Sequence, residues 1–184
     1  MVETVRAGEI GAEAPPFSLP GIDGRTWGLE DFVGGKGFVV VFICNHCPYV
    51  RAITERLVAD VAEMKQLDIA AVAINANDAA SYPADSFANM KVFAAEHRFN
   101  FPYLHDETQQ VARAYDAVCT PDFFGFDAER RLLYRGRLDA GRTDPVDRGA
   151  VRRELVEAMR MIAGTGRGPD EQLPSIGCSI KWKP

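Results

Sequence analysis

Phe38-Val39-Val40-Val41-Phe42-Ile43-Cys44-Asn45-His46-Cys47-Pro48-Tyr49-Val50 decides the fold. An unbroken apolar run, rich in β-branched and aromatic residues, reads as a strand buried on both faces. It ends in Cys-x-x-Cys. Pro48 follows at once and suits the first turn of a helix, where no N–H is needed. Both cysteines therefore fall where a strand hands over to a helix, and the first N–H groups and helix dipole there favour a thiolate.

Working outward, Val50, Ile53, Leu57, Val61 and Met64 recur at helical spacing and predict a helix over 49–66. A second buried strand follows at 69–74, then a polar loop from Asn75 to Pro83. Asp85 or Ser86 can cap a helix over 86–98. A strand at 101–104, a helix over 107–115, a hairpin of strands at 123–127 and 132–137, and a final helix from Asp147 to about 163 complete the order. Before the central strand, residues 1–20 read as an irregular lead-in with one edge strand, and 21–27 as a turn between two short strands. Gly34-Gly35-Lys36-Gly37 is a loop; it lacks the preceding strand and the Lys-Ser/Thr that a phosphate cradle needs. Strands alternating with helices predict an α/β fold, a central mixed sheet with helices on both faces, with an N-terminal extension and a C-terminal tail.

The chain is 47% hydrophobic with a net charge of -5, so it has core enough to fold alone and no basic footprint for nucleic acid. Its longest apolar run is too short to span a membrane, and Met1 to Arg6 carry no signal-type apolar segment. The expectation is a cytoplasmic protein, monomeric or a weak homo-oligomer. Four cysteines are too few for a disulfide scaffold of this size, and a Cys-x-x-Cys in a reducing compartment is catalytic or metal-binding.

Three segments together resemble the thioredoxin superfamily: strand, Cys44-Asn45-His46-Cys47, helix; Val118-Cys119-Thr120-Pro121-Asp122-Phe123-Phe124; and the closing hairpin with its helix. The opening Gly11-Ala12-Glu13-Ala14-Pro15-Pro16-Phe17-Ser18-Leu19 is similar to the alkyl hydroperoxide reductase/thiol-specific antioxidant branch. Cys-Asn-His-Cys-Pro-Tyr-Val with the tail Gly-Cys-Ser-Ile-Lys-Trp-Lys resembles the peroxiredoxin-like members that carry a thioredoxin-type Cys-x-x-Cys. The resemblance spans residues 1–184 and implies a single thioredoxin-like domain. It departs from both parents: Val41 stands where a peroxiredoxin places a hydroxyl, Gly37 where it places a Pro, and Phe38 where thioredoxin keeps a buried acid.

The resemblance implies thiol–disulfide exchange with a disulfide-containing protein or a low-molecular-weight thiol, and no cofactor. It makes Cys44 the nucleophile and Cys47 the resolving thiol, with Thr120 and Pro121 forming a cis bond whose backbone binds a partner peptide. His46 as an imidazolium would lower the Cys44 pKa. Cys119 and Cys178 are possible auxiliary thiols, the latter if the tail folds back, pinned by Ile180 and Trp182. Arg135, Arg137 and Asp139 could line the cleft, but read more simply as solvated charge. Two alternatives stay open: a thiol peroxidase working through Cys44, and a copper or zinc module built on Cys44, Cys47 and His46.

Overall fold

The computed structural model describes residues 10–184 and, by backbone alone, the strand β1 (Val2–Thr4). The rest of 1–9, with part of the expected lead-in, lies outside the described residues. The elements that follow are β2 (Ser18–Pro20), β3 (Thr26–Gly28), β4 (Gly37–Phe42), α1 (Pro48–Arg51), α2 (Thr54–Gln66), β5 (Ile69–Asn75) and α3 (Phe87–Glu96). Then come β6 (Tyr103–His105), α4 (Gln110–Ala114), β7 (Cys119–Thr120), β8 (Asp122–Asp127), β9 (Leu132–Gly136), α5 (Glu154–Thr165) and β10 (Ile176–Ser179).

The central sheet runs β6-β5-β4-β8-β9. Strand β4 pairs in parallel with β5 and antiparallel with β8, so its backbone is satisfied on both edges. Its side chains alternate between two cores, as the pleat requires. Val39 and Val41 meet Leu57 and Val61 of α2, Phe93 of α3 and Leu155 and Met159 of α5. Phe38, Val40 and Phe42 face the other way, against Phe124, Phe126, Val111 of α4, Phe17 of the lead-in and Phe32. Phe38 stacks on Phe126 at 4.9 Å between ring centroids, and Phe42 meets Phe124 edge-on at 5.8 Å. The expected mixed sheet with helices on both faces is what forms.

Four local expectations are corrected. The helix expected over 49–66 is broken at Ala52 and Ile53. There Ile53 N bonds back only to Val50 O (3.1 Å) and the Thr54 hydroxyl takes the Arg51 carbonyl (3.2 Å), which tightens the turn. The last helix starts at Glu154, not Asp147, whose side chain instead accepts from Gly149 N at 2.9 Å. Arg148 and Arg153 on that stretch reach across to Asp60 of α2 at 2.7 Å each, holding it as a loop. The tail contributes β10, which the pattern did not show as a strand. Finally, Arg135 and Asp139 are not solvated. Arg135 is buried between Asp122 (3.1 Å) and the Asp116 carbonyl (2.6 Å), and Asp139 is buried against Arg56.

Asp122 carries a pH signature. Burial pushes its carboxyl up to about 6, more than the neighbouring Arg135 charge draws it down. The folded chain thus binds this proton more tightly than the unfolded chain, whose value is near 4. The contribution to stability is complete below the unfolded value and is lost as pH rises through about 6. Urea midpoints measured between about pH 4 and pH 7 are expected to fall over that window, and Asp122→Asn to flatten the slope. An equal slope in the variant would contradict the assignment.

Candidate active site

The two cysteines stand at the C-terminal end of β4. Ile43 N still bonds Ile74 O (3.0 Å), after which the chain turns through Cys44-Asn45-His46. Cys47 is the N-cap of α1, one residue before Pro48. Facing them is Thr120, on the short strand β7, and the Thr120-Pro121 bond is cis as expected. Cys44 Sγ lies 3.3 Å from the Thr120 hydroxyl and Cys47 Sγ 3.1 Å from the Thr120 carbonyl. All four cysteines are unbridged thiols here.

Both sulfurs are sealed. Cys44 and Cys47 are 0% exposed, as is Cys119, whose thiol donates to Pro121 O at 3.5 Å. The cover is the tail. Strand β10 lies antiparallel to β7, with Cys178 opposite Thr120 and Ser179 opposite Cys119, and β1 closes its far edge with Val2 opposite Cys178. Thus the backbone edge expected to receive a partner peptide is already paired with this chain's own C-terminal strand. Ile180 anchors the strand in the second core, while Trp182 stays partly exposed over Arg113 (4.4 Å).

The loop between the cysteines is held by Asp85, one of the two residues expected as the cap of α3. Asp85 accepts from Asn45 N (2.7 Å), from Asn77 Nδ2 (2.8 Å) and pairs with His46 Nδ1 (2.6 Å). Nδ1 therefore carries the proton. Asn45 is held further by Tyr103 Oη at 2.9 Å, and the His46 ring stacks on Tyr82 at 5.7 Å. The real cap of α3 is Ser86, which accepts from Asn89 N. Two capping residues in tandem, Asp85-Ser86, were the available signal: a helix needs one, so the other is free for different work. Replacing Asp85 with Asn is expected to cost about 1.5–3 kcal/mol, since a buried charge-assisted network is broken and an amide is set against the imidazole N–H. A urea midpoint equal to wild type would deny Asp85 its positioning role.

The pair ionises as a unit. Cys44 is pushed up, first by the hydrogen bond it gives Cys47, then by burial and by the Asp85 carboxylate. Cys47 is lowered to about 5 by that same bond, despite burial, with the N–H groups of Cys178 and Val50 helping. One proton leaves readily and the second is held. This corrects the expected direction for Cys44: His46 spends its Nδ1 proton on a carboxylate that itself opposes a Cys44 anion.

Cys44, His46 and Asp85 offer ligand atoms within 4.8 Å of one another, with Asp85 in the place expected for Cys47. A metal there would have to displace the bonds that occupy both Asp85 oxygens, so the donor set suits the hydrogen-bonded loop better than an ion. Beside Pro121 opens an apolar cavity of about 250 Å³, bounded by Tyr49, Ile53, Phe123, Leu138 and Ile176.

Comparison with known proteins now places the chain. The AhpC/TSA family model matches residues 10–135. The chain belongs to the AhpC/TSA family. No curated protein matches it. Among solved structures it is similar to an uncharacterized conserved protein from Geobacillus kaustophilus, with 44% identity over 100% of this chain and 97% of that one at a TM-score of 0.92. A hypothetical protein from Sinorhizobium meliloti 1021 is 36% identical over 98% of each chain at a TM-score of 0.90. The thioredoxin domain of a thiol-disulfide oxidoreductase from Bacteroides vulgatus, 19% identical over 70% of this chain and 89% of that one, shares the fold at a TM-score of 0.60. This AhpC/TSA chain is thus a thioredoxin-like, peroxiredoxin-like protein, and its membership points to oxidoreductase chemistry.

Proposed function

We propose that this protein is a thiol–disulfide oxidoreductase whose Cys44 and Cys47 alternate between dithiol and disulfide, exchanging with a protein disulfide or a small thiol. The observation that carries the reading is the convergence of both sulfurs on Thr120, at 3.3 and 3.1 Å. A thiolate held down to about 5 beside a thiol is the pairing that exchange requires. The cavity beside Pro121 suits an apolar side chain of the partner. The test is reduction of insulin by the full chain with dithiothreitol as electron source. Acceleration well above the dithiothreitol background supports the proposal; no acceleration contradicts it.

A peroxidase reading has one observation in its favour. The Thr120 hydroxyl stands 3.3 Å from Cys44 and supplies from another strand the hydroxyl that Val41 lacks. Against it, Cys44 is the sulfur that is harder to ionise, and a peroxidatic cysteine must attack as thiolate. Consumption of hydrogen peroxide no faster than by free cysteine dismisses this reading.

A further inference from the structure

Sealed sulfurs cannot meet a partner, yet one thiol in the cluster reaches solvent. Cys44, Cys47 and Cys119 are buried, and Cys178 is only partly so. It packs against the core cluster that holds Cys44 and Cys47, and β10 sets it opposite Thr120, whose carbonyl lies 3.1 Å from Cys47 Sγ. We infer that Cys178 is a third catalytic thiol, the one that bonds covalently to the partner and relays the disulfide inward to Cys47 and then to Cys44. This rests on the reading of Cys44 and Cys47 as a redox pair.

The alternative route is to lift β10 and expose Cys44 directly. The tail is not built as a loose flap. Ile180 N bonds Val118 O (3.0 Å), Lys181 N bonds Asn77 Oδ1 (2.9 Å), and the Gln109 side chain grips Lys181 O and Lys183 N (2.8 Å each). These bonds lie just past Cys178, and two ladders flank it. Gly177 fixes the approach: a Cβ there would collide with the Thr120 carbonyl and the Pro121 nitrogen, so only glycine lets the strand lie this close. The next residue, Cys178, is thereby held against the cluster that contains Cys47 while staying half-buried.

The steps balance without an added oxidant. The Cys178 thiol attacks a partner disulfide R–S–S–R′, forming Cys178–S–S–R, and its proton passes to the released R′–S⁻. Cys47 thiolate attacks the Cys178 sulfur, forming Cys47–S–S–Cys178 and releasing R–S⁻. Cys44, losing its proton to the departing Cys178 thiolate, attacks Cys47 and closes Cys44–S–S–Cys47. The partner disulfide is reduced to two thiols, the Cys44–Cys47 dithiol is oxidised, and Cys178 ends as it began. The reverse sequence oxidises a partner dithiol.

The test uses full-length Cys47→Ser, in which the second step is blocked, with insulin as the protein disulfide. The covalent adduct, mapped by peptide mass, is expected on Cys178; an adduct on Cys44 overturns the relay in favour of strand opening. In otherwise wild-type protein, Cys178→Ser is expected to slow insulin reduction by about tenfold or more, since the accessible thiol is gone. Cys178→Ala, which cannot hydrogen-bond Cys47, is expected to do the same; either variant at the wild-type rate overturns the relay. Failure of the redox reading looks different: Cys44→Ser would then turn over as fast as wild type.

Discussion

Cys44→Ser is expected to lower disulfide turnover by roughly 10³-fold or more, because a hydroxyl neither attacks sulfur at neutral pH nor closes a disulfide with Cys47. The substitution is nearly isosteric, and a serine hydroxyl can keep the contact with Thr120 Oγ1, so the fold is expected to survive. Melting temperatures of variant and wild type within a few degrees would show that lost turnover is lost chemistry. The position of Cys44 in the cycle sharpens this. It is fully buried, like Cys47, and its thiol is pushed up by Cys47, by burial and by the Asp85 carboxylate. Its removal should leave the Cys47–Cys178 bond as the end point of a single attack on a partner disulfide. The variant is therefore expected to consume one equivalent of disulfide and stop, and continued turnover would take Cys44 out of the chemistry.

The second large effect is on stability. Arg56 of α2 and Asp139 are 8% and 3% exposed and form a two-pronged pair, Nε to Oδ2 at 2.6 Å and Nη2 to Oδ1 at 3.2 Å. The same guanidinium ties down the loop beyond β9 through the Arg142 carbonyl at 2.6 Å. Removing one member of such a pair leaves the other charged, buried and unpaired, which costs about 3–5 kcal/mol. For a chain of this length that is a fall of roughly 6–20 °C in melting temperature at 2–4 °C per kcal/mol. Asp139→Ala is expected to show it, and Arg56→Met with Asp139→Leu to recover most of it, because two apolar groups replace two charges. A small loss in the single variant would mean that water enters and solvates Arg56. The pair bears on the site because Asp139 also bounds the cavity beside Pro121.

The fold was legible where local pattern and tertiary context agree. Phe38 to Ile43 can be buried only on both faces, so β4 had to be central, and its neighbours followed from alternation. Where the two diverge, pattern misled. Asp147 looks like a cap, but Arg148 and Arg153 are drawn to Asp60 and Glu63 some 90 residues away, and the helix waits until Glu154. The site divides in the same way. Cys44 and Cys47 stood out by residue type and spacing, Thr120 and Pro121 by the family resemblance, and Cys178 only on condition that the tail folds back; they do converge. The burial of the sulfurs did not, because it depends on β10 pairing with β7 over nearly sixty residues of chain. Tyr103 and Asp85 were hidden for a related reason: each reaches the loop through a side-chain bond that no periodicity encodes.

The most direct test equilibrates the full chain in glutathione buffers of graded poise, quenches it with acid, and maps the thiols by mass. Cys44 and Cys47 are expected to be lost together in one two-electron transition, a tenfold change per about 30 mV, with a midpoint between about -270 and -120 mV and their peptides joined to each other. Thiols that stay reduced across that range, or that vanish one at a time as separate glutathione adducts, would contradict the pairing on which the account stands.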